Sequence, residues 1–535
     1  MDLEDRYQEA LNLFKRGEIA VAEQHCLALL KKDRQAGVLH LLGLCQFRQN
    51  RVQEAIGSYT EALNMGAEDA TLLNNLGRAY SMRGEWMAAA QAYVRAIALD
   101  PEQKESYLYL GPIYEQVGDM QSAERAYRRV LELDPQLAAA SASLASFYEK
   151  ANRMEEAEQL TRVALQQDGN DTVANLTRAQ LDYRRGAYME SAERLDGLLR
   201  NPLTLWNRAI AAGRLGAAYD KLERYDEAFA AFVAGKQSLL DGDLVTAGTN
   251  LYSLETLALM RRHLEGLLSL TQSTAAESRA APVFLVGFPR SGTTLLDQIL
   301  SSHPNIVVLE EKGILQHALQ EFLRDDESLQ RLASLDTAAL EKYQQRYWQL
   351  ADKVLGNPIG GRLLVDKLPL YTSFMPAIQR IFPTARFIFA LRDPRDVVLS
   401  CFMHAFSLNE AMRHFLTLEG TAGYYAAVMD VGIASLERMP GRVLRLNYEA
   451  LIDDTETEAR RLCEFLGVEW RDQILRFYDT AKKRQINTPS YHQVVQPVYR
   501  TAQGRWRHYA GHLSPVLGRL QPYVAYFGYK PDSGA

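Results

Sequence analysis

Small and apolar residues recur along the first 240 positions at one fixed spacing. Gly43, Gly77, Gly111 and Ala145 lie 34 residues apart, and Ala55, Ala89, Ala123 and Ala157 each follow twelve residues later. One unit reads Leu73, Leu76, Gly77, Tyr80, Ala89, Tyr93, Ala96, Pro101, and the next reads Tyr107, Leu110, Gly111, Tyr114, Ala123, Tyr127, Pro135. The pattern predicts two antiparallel helices per unit, with small residues where the helices approach closely and a proline that ends the second helix. Weaker copies run from Tyr7 to Ala22, around Ala179 and Ala192, and through Leu215, Gly216, Tyr219 and Ala228, giving about seven units that end near residue 240.

After residue 240 the pattern changes. LETLALMRRHLEGLLSL keeps helical apolar spacing, and the polar, proline-ended TQSTAAESRAAP follows it; together they predict a connector over 241–280. From 281 onward short apolar runs suited to buried strands alternate with helical stretches: 283–286, 306–309, 362–365, 387–391 and 443–447. The domains expected are therefore a repeat array (1–240), a connector (241–280) and an α/β domain (281–535). The 34-residue helix pair resembles the tetratricopeptide repeat. Its stacked units imply a superhelix whose concave face is either a groove for a protein or peptide or a brace for the domain behind it.

The chemistry lies in the α/β domain. Residues 283–294, VFLVGFPRSGTT, read as a strand, a Gly-rich turn and a helix start, a P-loop arrangement that surrounds an anion with backbone N–H groups and a helix N-terminus. The Gly287-x4-Gly292 spacing fits a nucleotide-hydrolase loop, but Thr293 stands where the lysine belongs and the nearest cation is Arg290. The strand 386–391 ends in Arg392, with Asp393 one place later. A Mg²⁺-dependent kinase or NTPase is disfavoured on both counts and stays an alternative. Glu310 and Glu311 end the strand 306–309, at the carboxyl edge where α/β sheets bind ligands, and suit a general base. Lys367 closes the next strand before Pro369 and can donate to a transferring group. Arg392 and Ser400, eight residues apart, form a second anion clamp. Two anion sites call for a ligand with phosphates at both ends.

Whole-chain properties narrow the classes further. The 535 residues carry a net charge of −6, so no general attraction to nucleic acid or anionic membrane is implied. Residues 1–20 begin acidic without an apolar core, and no uncharged apolar run reaches spanning length; a cytoplasmic protein without a transmembrane segment is expected. The four cysteines, Cys26, Cys45, Cys401 and Cys463, form no CxxC and read as buried small apolar residues.

PRSGTT, the two acids after the His303-Pro304 turn, DKLP at 366–369 and RDPRDVVLS at 392–400 together resemble the sulfotransferases that use 3′-phosphoadenosine-5′-phosphosulfate (PAPS), with the tyrosylprotein sulfotransferases as the nearest match. The resemblance, over roughly 282–530, implies a P-loop-type α/β sulfotransferase domain with a parallel sheet behind an all-α tetratricopeptide superhelix. It implies that Glu311, twenty-one residues after Arg290, is the catalytic base, and that Arg290, Lys367 and Ser490 are the catalytic donors, Ser490 opening a segment similar to S-x-x-Q-V-x-x-P-V. Ser291, Gly292, Thr293 and Thr294 would hold the 5′-phosphate with Arg290, and Arg392 and Ser400 the 3′-phosphate. Tyr448 would contact the nucleotide, and Arg505, with Trp506, would reach the 3′-phosphate side, where the family has Lys-Trp. His404 stands where the family often has arginine. PAPS is implied as donor, with no metal, and the implied acceptor is a tyrosine on a protein or peptide. A carbohydrate or small-molecule hydroxyl, or a repeat scaffold with a non-catalytic nucleotide-binding domain, are the alternatives.

Overall fold

The computed structural model describes residues 3–242, 250–269, 279–356, 359–406, 408–478 and 503–531. Ser490 and the segment that follows it to Val498 lie outside the described residues, as does most of the polar part of the expected connector. The chain divides into two compact units, Met1–Leu222 and Glu223–Ala535.

The first unit is a tetratricopeptide array of thirteen described helices, from Leu3–Lys15 to Leu205–Lys221. Its 34-residue spacing has a steric cause. A Cβ added at Gly43 would stand 2.4 Å from the ring of Tyr59, at Gly77 2.7 Å from Tyr93, and at Gly111 2.4 Å from Tyr127. Each glycine therefore accepts the tyrosine sixteen positions later, across its own helix pair. Where the small residue is Ala145, the position sixteen later is the buried Thr161. Ala55, Ala89, Ala123 and Ala157 are all fully buried, since a larger side chain there would push the helices apart.

The helix Tyr225–Asp241, which the repeat pattern places in the array, belongs to the second unit. Its aromatic side chains explain this: Phe229 packs on Phe402 and His512, and Tyr225 stacks on His508 with ring centroids 4.5 Å apart.

The second unit is built on a five-stranded parallel sheet in the order β2-β3-β1-β4-β5. The strands are β1 (Val283–Gly287), β2 (Ile306–Glu310), β3 (Leu363–Lys367), β4 (Arg386–Leu391) and β5 (Val443–Asn447). Alternate residues face opposite sides. Val283, Leu285, Val365, Ile388 and Leu446 pack on the helices Thr293–Ser301 and Thr455–Leu466. On the other side Phe284 packs against Phe387, Tyr347, Tyr371 and Phe382. Helices on both faces bury the central strands completely, which is why these strands read as unbroken apolar runs. β1 lies in the middle, so the loop leaving it opens between the ends of β3 and β4.

Candidate functional site

The loop after β1 is shaped by glycine and by its own carbonyls. Gly287 has a φ of +157°, and a Cβ there would stand 2.7 Å from the carbonyl oxygen of Ala390 on β4. Gly292 has a φ of +94°, and a Cβ there would meet the ring of Tyr448 at 2.7 Å. Between them four consecutive carbonyls are engaged. The Thr372 hydroxyl donates to Gly287 O (2.7 Å), Ser291 N–H to Phe288 O (3.1 Å), the Cys401 thiol to Pro289 O (3.3 Å) and Arg392 Nη1 to Arg290 O (3.1 Å). With its oxygens tied back, the loop can turn N–H groups toward an anion, beside the first turn of the helix Thr293–Ser301, whose N–H groups have no partner within the helix. The Ser291 hydroxyl is buried and has no hydrogen-bond partner among the described residues, and Thr293 and Thr294 are buried at the helix start.

Arg290 and Glu311 are the non-glycine residues of the α/β sheet domain with positive φ among those described, +71° and +49°. Such backbone costs on the order of 1–3 kcal/mol and gathers at functional sites. The two residues mark the two halves of the site.

On the β2–β3 side, the fully buried Lys367 ammonium lies among three carboxylates. Lys367 Nζ donates to Glu311 Oε1 at 2.8 Å and to Glu310 Oε1 at 3.3 Å, and stands 3.9 Å from Asp297 Oδ2. Burial pulls the Lys367 pKa down, but Glu311, Asp297 and Glu310 outweigh it and hold the pKa above its ordinary value. Burial pushes Glu310 up. Glu311 is the open member of the group, 42 % exposed, and its N–H donates to Lys367 O at 2.8 Å, fixing the turn that follows β2.

On the β4–β5 side, Arg290 Nε donates to Ser400 Oγ at 3.1 Å, and the Arg392 guanidinium lies 5.0 Å from the centre of the Tyr448 ring. Tyr448 opens the helix Tyr448–Asp453 directly after β5, and burial raises its pKa. Asp396, in the first turn of the helix Pro394–Met403, accepts from Gly504 N–H (2.7 Å) and Trp506 N–H (2.8 Å) and stands 3.9 Å from Arg392 Nη2. It thereby ties the turn bearing Arg505 to the helix that follows Arg392. Asp393, the residue that kept a hydrolase reading open, is spent on Arg395, accepting at 2.9 and 2.7 Å.

The structure thus gathers Arg290, Ser291, Gly292, Thr293, Thr294, Arg392, Ser400 and Tyr448 around the loop and Glu311 with Lys367 beside it. Sequence reasoning missed Asp297, Asp396 and Cys401, which hold these residues from other segments. Asp297 lies four residues after Thr293 on the same helix, and that spacing was the available signal.

Residues 282–472 match the sulfotransferase family, and residues 7–72, 74–138 and 114–181 match tetratricopeptide repeats; the chain joins a stretch similar to tetratricopeptide repeats to one similar to sulfotransferases. An uncharacterized protein of Aquifex aeolicus (strain VF5) is 29 % identical over 367 residues, covering 64 % of this chain and 45 % of its own, so the chain spans less than half of that relative. Protein-tyrosine sulfotransferase 2 of Gallus gallus is 28 % identical over 46 % of this chain and 69 % of its own, and protein-tyrosine sulfotransferase 1 of Danio rerio 26 % identical over 47 % and 73 %. Among the described residues, no helix is long and apolar enough to cross a membrane.

Proposed function

We propose that the protein transfers the sulfuryl group of PAPS to the hydroxyl of a tyrosine on a protein or peptide. The observation that carries this reading is the pairing, across one loop, of an exposed carboxylate held by a buried lysine with a two-arginine anion clamp. The clamp fits such a donor. Among the described residues the buried Ser291 hydroxyl has no hydrogen-bond partner, the helix Thr293–Ser301 starts directly after the loop, and Thr293 replaces the lysine that a nucleoside triphosphate would engage. PAPS supplies the activated sulfuryl group. The chain supplies position and charge.

Glu311 Oε takes the proton of the acceptor hydroxyl, a contribution of roughly 10²–10⁴-fold for a placed base. Lys367 orients that carboxylate and, with Arg290, faces the charge that builds on the transferring group. Ser291, Thr293, Thr294 and the loop N–H groups hold the 5′-phosphate. Arg392 and Ser400, with Tyr448 and Arg505, hold the nucleotide and its 3′-phosphate. The names of the two vertebrate relatives support tyrosine as the acceptor, and the repeat array suits a polypeptide substrate.

The test is transfer from ³⁵S-labelled PAPS in EDTA, using a cell lysate resolved into protein, glycan and small-molecule fractions. Sulfotyrosine in the protein fraction is the expected product. Label confined to the other fractions would remove the tyrosine acceptor and leave sulfuryl transfer standing. Glu311→Ala is expected to cut turnover by about 10²-fold or more with PAPS binding unchanged; full turnover in that variant would refute the assignment of the base.

A further inference from the structure

The helix Tyr225–Asp241 brings a charge to the site that none of the site motifs contains. Lys236 is 7 % exposed, and its Nζ donates to the carbonyl oxygen of His404 at 2.6 Å. His404 follows the last turn of the helix Pro394–Met403, and its N–H donates to Ser400 O. The ammonium therefore sits one turn beyond the hydroxyl that receives Arg290. The buried Cys401 thiol lies in the fields of Arg290, Lys236 and Arg392 together. Three cations converge on one helical turn.

Their balance is uneven. Arg392 has Asp396 at 3.9 Å, whereas among the described residues no carboxylate lies within 4 Å of Lys236 Nζ. Burial lowers the Lys236 pKa to about 8, and the His404 ring offers no counter-charge, because burial and then Arg290 and Lys236 push its pKa down to about 3. A buried ammonium with one carbonyl partner among the described residues keeps two N–H donors for a further acceptor, and burying such a charge away from a carboxylate is costly. The negative end of a helix dipole offsets part of that cost, which is what a purely structural lysine would use.

We propose that Lys236 is a phosphate ligand of this site, closing the Arg392–Ser400 clamp on the 3′-phosphate of the donor and selecting bisphosphorylated over monophosphorylated nucleotides. The proposal rests on the PAPS reading above. It also makes the helix Tyr225–Asp241, which the repeat pattern assigns to the array, part of the donor site.

The test is equilibrium binding to the full chain of two ligands that differ only in the 3′-phosphate, PAPS and adenosine 5′-phosphosulfate. Lys236→Met is expected to weaken PAPS roughly 10- to 100-fold, the range for a charge-assisted hydrogen bond, and to leave adenosine 5′-phosphosulfate unchanged. Lys236→Gln, which keeps a donor toward His404 and removes the charge, should show the same selective loss with an unaltered melting temperature, and Lys236→Arg should retain PAPS binding. Equal losses for both ligands, or no loss for either, would make Lys236 a helix cap and overturn the proposal. A wild-type protein that binds the two ligands equally would instead overturn the assignment of the 3′-phosphate clamp itself.

Discussion

The two sides of the β1 loop solve opposite electrostatic problems with the same residue types. On the β2–β3 side one buried lysine is surrounded by Glu310, Glu311 and Asp297. On the β4–β5 side Arg290, Arg392 and Lys236 share the neighbourhood of Cys401, and Asp396 stands 3.9 Å from Arg392. The first side sets three carboxylates around its one cation, whereas on the second, among the described residues, no carboxylate lies within 4 Å of the Lys236 ammonium. The sulfuryl transfer proposed above needs both: a cationic pocket for phosphates and, next to it, a carboxylate kept open to the acceptor.

The comparison predicts opposite responses to losing a lysine. Lys367→Met leaves three carboxylates facing one another, two of them buried or half-buried, and breaking such a group costs about 3–5 kcal/mol. The low end is expected, because Glu311 keeps its water. Chemical denaturation should show that loss, and turnover should fall by about 10²–10³-fold as for other lost donors to a reacting group. Lys236→Met, by contrast, removes a cation that lacks a carboxylate partner, and the melting temperature should hold or rise. A similar destabilisation by both substitutions would erase the distinction between the two sides.

Much of this site was legible in the sequence, for a physical reason. Arg290, Glu311, Lys367 and Arg392 all sit at or just past the carboxyl ends of strands, so a short apolar run followed by a charge reports both element and edge. The five strands appear close to where the apolar runs put them. Their order does not follow from the strings, because parallel strands are joined by crossovers and any neighbour is allowed locally. The same limit hid the supports. Lys236 and His404 are 168 residues apart, and Gly504 and Asp396 are 108 apart. The helix Thr337–Leu355, which carries none of the site motifs, supplies Tyr347, whose hydroxyl donates to Asp366 Oδ2 at 3.0 Å.

Asp366 sharpens the comparison within a single strand. It precedes Lys367 on β3 and points to the opposite face, fully buried, with one oxygen unpartnered among the described residues. Burial lifts its pKa from 3.8 to about 7. For a carboxyl raised in the folded state, the stabilising contribution is complete below the ordinary value and is lost as pH climbs through the folded one. Asp366→Asn should therefore match the wild type near pH 4 and exceed it in stability by roughly 2–4 kcal/mol above pH 7. A pH-independent difference between the two would mean that Asp366 is ionised in the fold throughout.

The smallest effect separates the repeat unit from the chemistry. In the array the discriminating quantity is volume, because Gly77 leaves a Cβ-sized space that the Tyr93 ring fills to 2.7 Å. Gly77→Ala lies within the helix Ala70–Met82, where alanine is the better helix former by about 1 kcal/mol. Overpacking a tight core costs about 1–3 kcal/mol, so the two terms oppose and the steric one decides the sign. A net loss of about 1 kcal/mol is expected in denaturation of the variant, with PAPS affinity unchanged, since the loop, the clamp and the carboxylate group all belong to the other compact unit. A gain in stability would show that the Tyr93 ring can withdraw, and that the 34-residue spacing reports helix pairing without strict volume matching at this position.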